Sequence, residues 1–176
     1  MEMKGERALP VDRTTAWRAL NEVQLLQGSI PGCERIVANG TGGYDVAIKA
    51  AIGPVNARFK GSMVLTDVEA PSSYTIRFEA QGGPAGFARG EARVSLSEVS
   101  PRQTLMRYVV SAQVGGRLAQ VGSRLIDAAA AALADQFFGN FSQHLASAGG
   151  AAVAAASGKL GLWALMRAFL RRLFGK

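Results

Sequence analysis

Alternation of apolar and polar residues with a period of two, running from residue 43 to 114, constrains this chain more than any other feature. Val55, Ala57, Phe59, Gly61, Met63 and Leu65 alternate with Asn56, Arg58, Lys60 and Ser62. Tyr74, Ile76, Phe78 and Ala80 do so with Thr75, Arg77, Glu79 and Gln81. Gly90 to Leu96 and Met106 to Val114 repeat the pattern. Successive strand side chains point to opposite faces, so each stretch predicts a strand with one buried and one wet face, as in antiparallel sheets. NGTGG, IGPV, EAPSS, GGPAG and EVSPRQ fall between them and are short enough for consecutive hairpins. The pattern predicts a meander of six strands, with Met1 to Leu9 as a seventh.

Between that first strand and the meander, Asp12 is placed to cap a helix over DRTTAWRALN, and Val23 to Ser29 form a second short helix that Pro31-Gly32 ends. RLAQVGSRLIDAAAAALADQFFGNFSQHLA reads as one long helix of about 43 Å. Its apolar stripe, Val121, Leu125, Ala129, Leu133, Phe137 and Phe141, suits a helix lying along a sheet. The predicted class is α+β: a seven-stranded antiparallel curved sheet wrapped around a long C-terminal helix. Residues 1–146 form the domain, 147–158 an Ala/Gly/Ser linker, and 159–176 an amphipathic tail helix.

The inward positions include Ala50, Gly61, Ala80, Gly90, Ala92 and Ala112, and the helix offers Ala128 to Ala132. Small residues facing one another leave space, which predicts an apolar ligand cavity. The plainer alternative is a close approach of sheet and helix. The cavity's expected lining is Ile48, Phe59, Met63, Ile76, Phe78, Tyr108 and Val110 from the sheet, with Val121, Leu125, Ala129, Leu133 and Phe137 from the helix. In a meander IGPV, GGPAG, the Val114–Gly116 junction and IPGC share one end, the expected mouth.

Chemistry-bearing residues are sparse. His144 is the single histidine, read as a surface or helix-end residue with no evident triad or metal partner. Cys33 is the single cysteine, so no disulfide framework exists and the residue reads as a small buried hydrophobe. Tyr44, Tyr74 and Tyr108 have hydroxyls able to bond a carbonyl in a cavity, or serve as ordinary core residues. No catalytic set, metal site or covalent cofactor is expected.

Lys159, Arg167, Arg171, Arg172 and Lys176 give the tail +5, leaving +2 of the total +7 for residues 1–158. A nucleic-acid footprint would spread its cations over a folded face, so nucleic acid is not an expected partner. On a helical wheel Leu162, Leu165, Met166, Phe169 and Leu173 form one apolar face, flanked by Trp163, Leu170 and Phe174. Arg167 and Arg171 sit opposite, and Arg172 at an edge. This is the composition of an in-plane membrane helix, and the apolar run is far short of the roughly 20 residues that span a bilayer. A partner's groove and the chain's own domain are the alternative docking places. MEMKGERALP has no apolar secretory core, so the expected location is cytoplasmic, peripheral on the inner face of the cell membrane.

IPGC, AIKAAIGPVNARFKGSM, GFARGEARVSL and above all GGRLAQVGSRLIDAAAAALADQFF resemble the CoxG family of carbon monoxide dehydrogenase, part of the START-like, polyketide-cyclase-like superfamily with the helix-grip fold. The resemblance covers residues 1 to about 146 and leaves the tail outside. It implies an accessory protein of a molybdenum-containing carbon monoxide dehydrogenase or related hydroxylase, implicated in bringing that enzyme to the membrane. Joined to the cavity and the tail, the implied redox partner leads to an expected lipophilic ligand, a respiratory quinone, menaquinone. A recruitment or maturation adaptor without a redox ligand and a lipid-binding or transfer protein are the rival readings. A cyclase or hydrolase would need polar groups converging in the cavity.

Overall fold

A computed structural model describes residues 1–147. The chain forms β1 (Glu2–Leu9), α1 (Arg13–Leu20), α2 (Val23–Ser29), β2 (Cys33–Ala38), β3 (Gly43–Ile52), β4 (Val55–Glu69), β5 (Ser73–Gln81), β6 (Phe87–Ser100), β7 (Gln103–Gly115) and α3 (Arg117–Gln120). A long helix, α4, follows over residues 123–147. The seven strands form one antiparallel sheet in the order β1-β7-β6-β5-β4-β3-β2, so β2 to β7 are the expected meander and β1 pairs with β7. The expected linker and tail, residues 148–176, lie outside the described residues.

Asp12 caps α1, its carboxylate accepting from the Thr15 amide at 3.0 Å and the Thr15 hydroxyl at 2.6 Å. Pro10 and Asn21 bracket the helix, and its Ala16, Ala19 and Leu20 turn into the core. At Gly61 a Cβ would run into the backbone of Glu79 and Ala80, and at Gly90 into that of Ser111 and Ala112. Both face the helix side, and the missing side chains let neighbouring strands close in as the sheet curves.

The long helix differs from expectation in two ways. Gly122, at φ 90°, breaks residues 117–146 into α3 and α4, because that left-handed backbone ends one helix before the next starts. The buried face of α4 also keeps only part of the stripe spaced by fours, holding Phe137 and Phe141 but not Leu125. Phe138, Phe141 and Leu145 are buried and Ala134 packs against the same core, whereas Leu125 is 40% exposed. Four residues turn a helix by about 400°, so a strict four-residue spacing winds around it, while alternating steps of four and three stay on one face.

The core is divided. The larger cluster joins Leu9, Leu20, Tyr74, Val94, Leu96, Met106 and Tyr108 to Phe138, Phe141 and Leu145 of α4. A smaller one, Val55, Phe59, Ala85 and Leu118, lies at the opposite end, where the cavity mouth was expected. Helix and sheet are therefore tied at both ends. Between the ends the inward positions Met63, Ile76, Phe78, Ala92, Val110 and Ala112 are only half-buried.

Candidate ligand cavity

Two hollows lie along this half-buried stretch. The smaller, of about 190 Å³, is bounded by Leu20, Asn21, Leu26 and Ile30 from the α1–α2 region, by Phe137 of α4, and by Tyr44, Met63, Leu65, Tyr74, Ile76, Val94 and Met106 of the sheet. The larger, of about 1030 Å³, has Phe78, Gly90, Ala112 and Val114 in its sheet wall and Ala119, Ser123, Ile126 and Asp127 opposite. Arg77, Glu79, Arg89, Glu91, Ser111, Gln113 and Met1 complete its lining. Met63 and Phe78 are cross-strand partners, one on each hollow, so the two spaces are neighbours across β4 and β5.

The small hollow is apolar with a few polar groups at its wall. Asn21 is held by its own amide, which donates to Trp17 O at 2.8 Å. Tyr74 meets Trp17 edge to face at 5.3 Å and is 4% exposed. Burial pushes its phenol well above the ordinary range, so it keeps its proton. A dry cavity of about 150 Å³ accepts a benzene ring, so a space this size suits one aromatic ring system.

Helix α4 is held against the sheet by contacts from both edges of the fold. The Arg7 guanidinium, on β1, pairs with Asp135 and lies 5.3 Å from the centre of the Phe138 ring. Tyr108 stacks on the same ring at 5.4 Å. On the other side His144 Nδ1 lies 3.2 Å from Ser29 Oγ, and Asn140 donates to Ser29 O at 3.1 Å.

Of the expected lining, Met63, Ile76 and Phe137 border the small hollow and Phe78 the large one. Phe59 is buried in the smaller cluster with Val121 against it, Tyr108 is buried under Phe138, and Val110 packs on the larger cluster. Ile48, Ala129 and Leu133 are half-buried outside these walls, and Leu125 abuts Gly53. Sequence reasoning missed Leu20, Leu26 and Ile30, although a helix pair laid over a sheet end must turn such residues inward. It also placed Leu125 on the wall where Ile126, one residue or about 100° further round, stands.

Cys33 is half-buried, its thiol pushed up by burial and directed at Arg35 O at 3.6 Å. Among the described residues no three His, Cys, Asp or Glu side chains gather as metal ligands do, and no helix is long and apolar enough to cross a membrane.

A conserved protein from Geobacillus kaustophilus is similar in structure at 26% identity and a TM-score of 0.79, over 84% of this chain and 96% of that one. A START superfamily protein from Mycobacterium smegmatis matches at 10% identity and 0.64, over 83% and 97%. The Zhui aromatase/cyclase from Streptomyces sp. R1128 matches at 11% and 0.57, over 82% and 93%. The last two are too distant to show more than the shared fold. No curated protein matches the sequence. The sequence profile of the carbon monoxide dehydrogenase G-subunit (CoxG) matches residues 5–146, which takes in the sheet from the middle of β1 onward and nearly all of α4. With its START-like sheet gripping a terminal helix, the chain belongs to the CoxG family of carbon monoxide dehydrogenase.

Proposed function

We propose that this protein holds a respiratory quinone, menaquinone, between its sheet and α4, and links a molybdenum-containing carbon monoxide dehydrogenase to the membrane electron-transport chain. The family supports an accessory, ligand-binding role beside that enzyme. The observation that carries the quinone reading is the pair of adjoining hollows, a small apolar one ringed by large side chains and a larger one beside Gly90 and Ala112. The small one suits a ring, with Tyr44 and Tyr74 in its wall as hydroxyl partners for a carbonyl, and the larger, open one gives the rest of the ligand a way out past Phe78, Ala112, Val114 and Ile126. Met63, Ile76, Phe78 and Phe137 are the expected contacts, and Ile48, Val110, Ala129 and Leu133 flank them. The apolar face of the tail, Leu162, Leu165, Met166, Phe169 and Leu173, lies in an anionic inner leaflet with Arg167, Arg171 and Arg172 at the headgroups.

The deciding experiment is organic extraction of the full chain purified from its native membrane, followed by mass spectrometry. Stoichiometric menaquinone is the expected result. Protein that co-purifies with the enzyme yet yields no lipid overturns the carrier role and leaves recruitment. A phospholipid in place of a quinone points to lipid transfer.

A further inference from the structure

The face of the sheet turned away from α4 carries alternating acids and bases over most of its area. Glu91 is opposite Arg77, Glu79 opposite Arg89, and Glu6 opposite Arg107. On β2 to β4 this alternation fails. Lys49 and Arg58 are direct cross-strand partners, and Lys60 and Arg35 flank Ala47 in the adjoining row. All four cations are exposed. Strands about 4.8 Å apart bring the four within roughly 10 Å of one another. Glu34 is the one acid among them, taken up by Arg58 at 2.6 and 2.9 Å. Among the described residues Lys49, Lys60 and Arg35 have no acid at ion-pair distance, and Asp45 and Glu79 mark where the patch ends. Glu34 answers Arg58, and the charges of Lys49, Lys60 and Arg35 together leave a net cationic patch that an anionic surface would complement.

The position of the patch selects the surface. Lys49 N donates to Gly32 O at 2.9 Å, and Gly32 stands three residues beyond Ser29, which is bonded to Asn140 and His144 near the end of the described chain. Three residues span at most about 11 Å. The Lys49 backbone is therefore within roughly that distance of Ser29 and the last described turns of α4, and the Lys- and Arg-rich segment 159–176 follows twelve residues further along the chain. We infer that Arg35, Lys49, Arg58 and Lys60 form a second membrane contact on the folded domain, taking the phosphates of anionic lipid headgroups and fixing how the body sits on the leaflet. This rests on the membrane reading of the tail.

The test uses the full chain and vesicles of phosphatidylcholine with one part in four phosphatidylglycerol, at low salt. K49Q/K60Q weakens partitioning by roughly 25-fold, about five-fold for each cation lost. K4Q/R102Q, two exposed cations elsewhere, leaves it within about two-fold. Equal losses from both double variants reduce the effect to overall charge and overturn the patch. If R171Q/R172Q weakens binding and K49Q/K60Q does not, the patch falls and the tail stands. If the unsubstituted chain does not bind the vesicles, both fall. If K49Q/K60Q binds vesicles normally but no longer co-purifies with carbon monoxide dehydrogenase, the patch serves an acidic protein surface instead.

Discussion

Ser29 Oγ and His144 Nδ1 stand 3.2 Å apart, joining the last residue of α2 to the last described turn of α4. The Ser29 hydroxyl proton is committed to Leu25 O at 2.7 Å, so His144 Nδ1 must be the donor. His144 is exposed and Ser29 fully buried, so the two are not equivalent targets. His144→Ala should lower stability by about 0.5–1.5 kcal/mol, the value of one hydrogen bond. Ser29→Val, which overfills the site, should cost about 1–3 kcal/mol more. Urea unfolding of both variants checks the order, and equal losses would show that the contact does not organise this corner.

Arg7 should matter more than the acid it pairs with. Asp135 is largely exposed, and Asp135→Ala removes a surface ion pair worth about 0–1 kcal/mol. Arg7→Ala also removes the stem and the guanidinium over Phe138, adding about 0.5–1 kcal/mol. Thermal melts of the two single variants should therefore rank Arg7→Ala as the more damaging.

Tyr74 sets an alkaline limit. Burial raises its phenol from an unfolded value of 10.0, so its contribution to stability is complete below that pH and is lost as pH rises beyond it, where only the unfolded chain ionises. Above about pH 10 the domain should lose roughly 1.4 kcal/mol per pH unit through this group. Tyr74→Phe should flatten the fall, measured as Tm against pH from about 8 to 11.5. Parallel curves for both proteins would count against the burial argument.

Asp12 acts at the other end of the pH scale. The Thr15 hydroxyl and amide hold its carboxyl below the usual value of 3.8, so its stabilisation is present above that pH and is lost as pH falls through the depressed value. Asp12→Ala should cost about 1 kcal/mol at neutral pH, as expected for a lost helix cap. Below about pH 4 the gap between variant and parent Tm should close.

Ala112 offers a way to fill the large hollow without touching a packed cluster. Ala112→Leu projects new bulk into that space, so the melting temperature should hold or rise slightly while extractable ligand falls several-fold. Unchanged ligand content in a folded variant would move the ligand out of this hollow.

Strand order was legible because the wet and buried faces alternate cleanly. Glu79 and Arg77 leave no doubt which side of β5 faces water, and Asp12 marks the start of α1 by its own chemistry. The inner face of α4 was harder to read. Its run of alanines is nearly uniform in polarity, so Ala129 and Ala130 differ little by periodicity, and only the aromatic cluster Phe137, Phe138 and Phe141 carries direction. A four-spaced line through Phe137 displaces the upper part of the stripe onto Leu125. Of the small inward positions only Gly90 and Ala112 border a hollow, the larger one, and the smaller hollow is walled by large side chains that periodicity reads as ordinary core. Its ceiling of Leu20, Leu26 and Ile30 depends on how α1 and α2 fold back over the sheet, which no local pattern specifies.

Helix α4 is fastened at Leu118 just before it and at Phe138 to Leu145 near its end, with little holding the stretch from 123 to 133. A beam supported only at its piers bends in mid-span. Under the ligand-binding reading proposed above, this span is the one that would lift for a guest while every strand register stays intact, and amide exchange should be fastest here in the empty protein and slow most once menaquinone is bound.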